Sequence, residues 1–143
     1  MARRNKDKKI EFLHQVPLFA GLPTKHLGKV ASLVDEVERG AGTVLARQGS
    51  MGQEMMLILD GKVDVDRNGK KLATLKAGDV FGEMSLIDSK ERSATVTAVT
   101  DVDLLVLHRR DFQTMLADVP GFARHMLVQL TKRLREADTK LVD

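Results

Sequence analysis

Between residues 43 and 107 the chain runs in short apolar stretches, each bounded by a turn signal. Residues 43–47, 55–59, 62–66, 72–75, 94–98 and 102–107 are β-prone, and Gly40, Gly42, Gly49, Gly52, Asp60-Gly61, Asn68-Gly69 and Gly78-Asp79 punctuate them. Val63 and Val65 alternate with Asp64 and Asp66, the period of two that puts apolar groups on one face of a sheet. Asn68-Gly69 can take positive φ at both central positions and predicts a tight hairpin. Short strands at regular spacing with turns between them predict a sandwich, roll or barrel. One piece departs from the pattern: residues 81–87 read as a single short helix inside the sheet region.

Helical periodicity lies on either side. Residues 8–15 read as a short helix ended by Val16-Pro17, because a residue before proline leaves the helical region. The apolar turn from Pro17 through Leu18, Phe19 and Leu22 to Pro23 must dock on something. Thr24 offers an N-cap oxygen to a helix carrying Leu27, Val30, Ala31 and Val34 at helical spacing. After His108, Asp111 caps a run that turns Phe112, Met115 and Leu116 inward, and Val119-Pro120 ends it. A long helix follows over about 121–141. Its Leu127, Leu130, Leu134, Ala137 and Leu141 step by 3, 4, 3 and 4, a heptad seam short of the three or four heptads of a coiled coil. A face packed on the chain's own sheet and the seam of a homodimer both fit that spacing.

A chain of 143 residues makes one domain, expected over 10–143 after a basic flexible tail at 1–9. Cysteine is absent, which excludes a disulfide framework, a Cys-ligated metal site and a thiol nucleophile. Tyr and Trp are absent too, which argues against a single-strand binder that stacks bases on aromatic faces. The net charge of +3 resides in the tail: Arg3, Arg4, Lys6, Lys8 and Lys9 face only Asp7, while residues 10–143 hold 18 cations against 19 anions. A body with that balance lacks the basic surplus of a nucleic-acid binder, so no DNA binding is expected. No stretch reaches the length of a membrane span, and the broken apolar region 10–22 makes no signal-peptide core. The expectation is a cytoplasmic protein without membrane contact.

The segment Phe81-Gly82-Glu83-Met84-Ser85-Leu86-Ile87, leading to Arg92-Ser93-Ala94-Thr95-Val96, carries the chemistry. Gly82 lets a strand turn into a helix whose first N–H groups have no intrahelical acceptor, an end that favours anions. Arg92 follows Glu83 by nine residues, and its planar fork can grip two oxygens of one phosphate. Ionised Glu83 only accepts, which suits vicinal hydroxyls such as those of a ribose. A buried Glu83–Arg92 salt bridge is the structural alternative.

This run, FGEMSL…RSATV, resembles the phosphate-binding cassette of cyclic nucleotide-binding domains. Pro17-Leu18-Phe19 with Leu22 is similar to that family's helical entry, Thr43 to Gly49 and Met56 to Val63 to its early strands, and Leu75 with Gly78 to Glu83 to the approach to the cassette. The likeness extends from about Phe12 to Asp138. It implies a mainly β fold with helices (α+β), an antiparallel, jelly-roll-like β-roll with short N-terminal helices, the cassette helix and a long C-terminal helix. It further implies that Arg92 pairs with the cyclic phosphate and Glu83 accepts from the 2′-hydroxyl. The N–H groups of Met84 and Ser85 would cradle the phosphate beyond Gly82, Ser93 would add a hydroxyl, and Ala94 would bring the backbone close. Val65, Leu72 and Leu75 match an apolar wall for sugar and base, serving core and pocket alike. Arg133 resembles a family arginine near the ligand, in the span 133–139 that covers the base. Ala137 and Asp138 stand there in place of hydroxyl side chains, and that span has no aromatic lid. The empty site is expected to hold Arg92 near Glu83 with water between them.

The expected protein is therefore a non-catalytic sensor without a cofactor. Its ligand would be cyclic AMP, with cyclic GMP the alternative, because Ser93 occurs in cyclic-AMP binders of the family. It would signal to an effector protein through its C-terminal helices. Two other readings compete. One is the sensor half of a catabolite-activator-type transcription factor lacking its DNA-binding domain. The other is a cupin-like metal enzyme, disfavoured because His14, His26, His108 and His125 are singly placed.

Overall fold

A computed structural model describes residues 4–137. The described residues order as α1 (Lys6–Leu13), α2 (Thr24–Leu33), β1 (Asp35–Arg39), β2 (Val44–Ala46), β3 (Glu54–Asp60), β4 (Lys62–Arg67), β5 (Lys70–Lys76), β6 (Val80–Phe81), α3 (Glu83–Asp88), β7 (Thr95–Ala98), β8 (Val102–His108), α4 (Arg109–Asp118) and α5 (Phe122–Ala137). The strands pair antiparallel into two four-stranded sheets, ordered β1-β8-β3-β6 and β2-β7-β4-β5. The two sheets face one another and helices cover the outside of the first, which is the expected β-roll.

The central strands β3 and β8 are buried on both faces, so they read as near-continuous apolar runs. Met56, Ile58, Leu104 and Val106 meet Val63, Val96 and Ala98 between the sheets. The alternate residues Met55, Leu57, Leu59, Leu105 and Leu107 meet the helices. The Pro17–Pro23 turn docks here: Phe19 stacks on Phe122 at 5.7 Å between ring centroids, and Phe112 meets Phe122 edge-on at 5.9 Å. Three phenyl rings thus tie the N-terminal turn to α4 and α5. Asn68 and Gly69 both have positive φ, 53° and 79°, and close the β4–β5 hairpin.

Several boundaries differ from expectation. The basic segment 1–9 contributes to helix and ion pairs over its described part. Helix α1 starts at Lys6, capped by the Asn5 side chain, which accepts from Lys8 N at 2.9 Å. Arg4 is fixed as well: its backbone N–H donates to Glu36 Oε1 at 2.6 Å and its Nη1 to Asp103 Oδ2 at 2.9 Å. Arg3 lies outside the described residues. Thr24 does not cap α2; it opens the helix after Pro23, and its hydroxyl meets His14 Nε2 at 3.3 Å. Helix α4 begins at Arg109 and places Asp111 in its first turn. Strand β1 has no apolar alternation to announce it, because it turns only Val37 to the inter-sheet core and buries Glu36 on its other face. Strand β6 takes Phe81 out of the expected short helix.

Only part of the heptad seam of α5 packs inward. Phe122 and Met126 are buried and Leu130 packs partly beside them, whereas Leu127 is 66% and Leu134 55% exposed. The inward stripe Phe122, Met126 and Leu130 therefore steps by four, so Leu130 alone of these three leucines turns inward while Leu127 and Leu134 stand on another side of the helix. Leu141 lies outside the described residues.

Candidate functional site

Strand β6 ends at Phe81, and Gly82 with φ 90° turns the chain into α3. A side chain there would strike Arg92 Nη1 at 2.5 Å and the carbonyl oxygen of Glu54 at 2.9 Å, so the position requires glycine for both its backbone angle and its contacts. Arg92 is pinned through its backbone: its N–H donates to Ser50 O at 2.8 Å, and its carbonyl accepts from Gly49 N at 2.9 Å. Its side chain then lies over the start of α3, only 7% exposed. Nη2 donates to Glu54 O at 2.9 Å and Nη1 to Gly82 O at 3.4 Å. Burial pulls the guanidinium below its ordinary pKa; the charges of Glu54 and Glu83 oppose that pull, and Arg109 adds to it.

The ion pairs are not the Arg92–Glu83 salt bridge that stood as the structural alternative. Arg92 Nη2 has the Glu54 carboxylate at 3.5 Å. Glu83, buried at 4% exposure, accepts through Oε1 from Arg133 Nη1, which reaches across from α5. Arg133 also directs Nη2 toward the carbonyl of Val80 at 3.5 Å. Glu54 was missed because only folding brings β3, 38 residues earlier, against Arg92. Arg109 was missed likewise. Its Nη2 donates to the carbonyls of Gly52 and Ser85, locking the β2–β3 loop and α3 to the start of α4.

Beside this cluster lies a cavity of about 650 Å³, within the range of small-molecule sites. Every site residue expected from the sequence lines it: Val65, Leu72, Leu75, Gly82, Glu83, Met84, Ser85, Arg92, Ser93, Ala94 and Arg133. Ala46, Ala73, Phe81, Val96 and Ala137 complete much of the wall. Cross-strand register carries the signal for two of these, since Val65 pairs with both Ala73 and Val96. Val65 and Leu75 also pack on the inter-sheet core, as expected. Leu72 does not: it stands half-exposed at the cavity wall. It is the extra residue of a bulge, since Val65 pairs with Ala73 and Asp66 with Lys71. Such an insertion re-aims a side chain that alternation alone would turn away. Met84 is exposed and Ser85 buried. Asp138 and Thr139 lie outside the described residues.

A buried guanidinium, a buried carboxylate and an apolar wall thus line one cavity of a β-roll. The family model described as "Cyclic nucleotide-binding domain" matches residues 36–119, more than half of the chain. The chain belongs to that family. It is 38% identical over 130 residues to the Cyclic AMP receptor protein of Thermus thermophilus, covering 87% of this chain and 60% of that relative. The crystal structure of Thermus thermophilus catabolite activator protein superposes with a TM-score of 0.80 at 38% identity, over 87% of this chain and 61% of the other. A co-crystal structure of the regulatory domain of Toxoplasma gondii PKA with cAMP gives 0.71 at 29% identity, over 78% and 46%. This chain thus spans less than two thirds of each of these relatives.

Among the described residues no group of three or more His, Cys, Asp or Glu could hold a metal ion. His14, His108 and His125 stand apart, beside Thr24, Asp35 and Gly21 respectively. No helix among them is long and apolar enough to cross a membrane.

Proposed function

We propose that this domain is a cyclic-AMP sensor without catalytic activity, acting in the cytoplasm. The observation that carries the reading is Arg92, a guanidinium 7% exposed at the wall of the cavity, beside the bare backbone of Gly82 and the start of α3. Its carboxylate neighbour Glu54 stands at 3.5 Å, beyond the usual hydrogen-bond range, which leaves the guanidinium fork able to grip a phosphate. The cyclic phosphate sits against Arg92 and the N–H groups of Met84 and Ser85, with Ser93 and Ala94 beside it. The ribose 2′-hydroxyl donates to Glu83, whose Oε2 complements the Oε1 held by Arg133. Val65, Leu72 and Leu75 carry the sugar and base. Two relatives, a cyclic AMP receptor protein and a regulatory domain crystallised with cAMP, support cyclic AMP as the ligand.

Arg133 belongs to α5 and Glu83 to α3, so one ion pair joins the ligand's sugar to the last described helix. Ligand contacts that differ between two positions of α5 shift their populations by that difference in affinity. The exposed Leu127 and Leu134 on the same helix are the surface read by an effector protein or a second copy.

Side-by-side calorimetric titration of ligand-stripped protein with cyclic AMP and cyclic GMP tests the reading. One cyclic AMP per chain, bound more tightly than cyclic GMP, is expected. Heat from neither nucleotide would overturn it.

A further inference from the structure

Resting on that reading, we propose that the carboxylate of Glu54 is a resident counter-charge on Arg92 that sets the affinity for the phosphate. Arg92 lines two cavities: the ligand cavity, and a second cleft of about 190 Å³ that holds Arg47, Ser50, Met51 and Glu54. Glu54 lines only the second. The carboxylate therefore reaches the guanidinium from outside the ligand cavity and need not leave when a ligand enters.

Its role is electrostatic and not one of placement. The guanidinium is already fixed by two backbone carbonyls, Glu54 O at 2.9 Å and Gly82 O at 3.4 Å. The Glu54 carboxylate oxygen stands at 3.5 Å from Nη2, beyond the usual hydrogen-bond range, and its side chain keeps 30% of its exposure. Charge acts at that separation where hydrogen-bond geometry does not. Two consequences of opposite sign follow. In the empty protein Glu54 exerts the larger of the two carboxylate effects, its own and that of Glu83, that offset the buried cation. In the complex the same carboxylate is a second anion on one guanidinium, and it repels the incoming phosphate.

The test measures both consequences on one variant. Glu54→Gln keeps the shape and removes the charge. The unliganded variant is expected to melt at a lower temperature than wild type, while its calorimetric affinity for cyclic AMP rises on the order of tenfold, mainly through slower release. Glu54→Asp draws the charge back along a shorter side chain and should shift both quantities the same way by less, which keeps the test usable if the Gln variant folds poorly. A merely structural Glu54 would lower the melting temperature and weaken or leave unchanged the affinity. That result, with wild type binding normally, overturns this proposal alone. Wild type that binds no cyclic nucleotide overturns the sensor reading and this proposal with it.

Discussion

Arg92 and Glu83 are both buried, yet each already has a partner of opposite charge from a distant part of the chain: Glu54 from β3 and Arg133 from α5. Replacing Arg92 by Leu removes the phosphate's cation, and calorimetry should show cyclic-nucleotide affinity falling by about 2–5 kcal/mol, the range for deleting one partner of a buried charge pair. A 2′-deoxy analogue should bind distinctly less well than its parent; equal affinity would remove Glu83 from the ribose. A third buried group, Asp103, lies far from the cavity and reports on stability. Burial, then the hydrogen bond and charge of neighbouring Glu36, push it up to about 6, against the pull of Arg4. For Glu36 burial also acts upward, but its hydrogen bonds with Asp103 and the Arg4 backbone and the charges of Arg4 and Lys9 leave it lowered. The folded chain thus keeps the Asp103 proton to higher pH than the unfolded chain, whose aspartates release theirs near ~3.9. That contribution is full below about 4 and is lost as pH rises toward about 6. Glu36 contributes in the opposite sense, above its ordinary range and fading as pH falls. Asp103→Asn, still able to accept from Arg4, should therefore gain thermal stability over wild type as pH passes from 4 to 6, and the gain should then level off. A melting difference flat across that window would refute the raised Asp103.

At the scale of elements, the cassette depends on one backbone angle. Gly82 at φ 90° has no room for a Cβ against Arg92 and the Glu54 carbonyl. Gly82→Ala should cost about 1–3 kcal/mol in chemical denaturation from the backbone strain alone and should abolish ligand binding, because the guanidinium must shift. Helix α5 makes a contrasting case. Leu127 and Leu134 point away from the core, so Leu127→Glu and Leu134→Glu should each change stability by no more than about 0.5 kcal/mol at dilute concentration. Phe122→Ala, by contrast, opens the three-ring junction with Phe19 and Phe112 and should cost about 3–5 kcal/mol. The spacing of the leucines was visible in the chain; which side of the helix met the core was not, because Phe122 and Met126 compete for it with bulkier or better-placed side chains. Strands β3 and β8 were legible for the opposite reason, being apolar on both faces. Strand β1 was hidden because one of its two faces buries Glu36, which Arg4 meets from 32 residues earlier, and no local pattern announces that pairing.

Across the whole molecule, helices are tied to the site at two points, Arg133 to Glu83 from α5 and Arg109 to Ser85 from the start of α4. The cavity is lined by side chains from both sheets, α3 and α5. What the amino-acid sequence determined unaided is the set of local decisions: the turns at Asn68-Gly69 and Gly82, the two doubly apolar strands, and the placement of Glu83 and Arg92 at either end of one cassette. These follow from backbone angles and from spacings of a few residues, which a linear chain displays. The tertiary structure alone decided which charge faces which: Glu54 on Arg92, Arg133 on Glu83, Arg4 on Glu36 and Asp103, and the bulge that turns Leu72 to the cavity. Electrostatic partners act through space, and the separations that matter, a few ångströms, are created only when segments tens of residues apart are packed together.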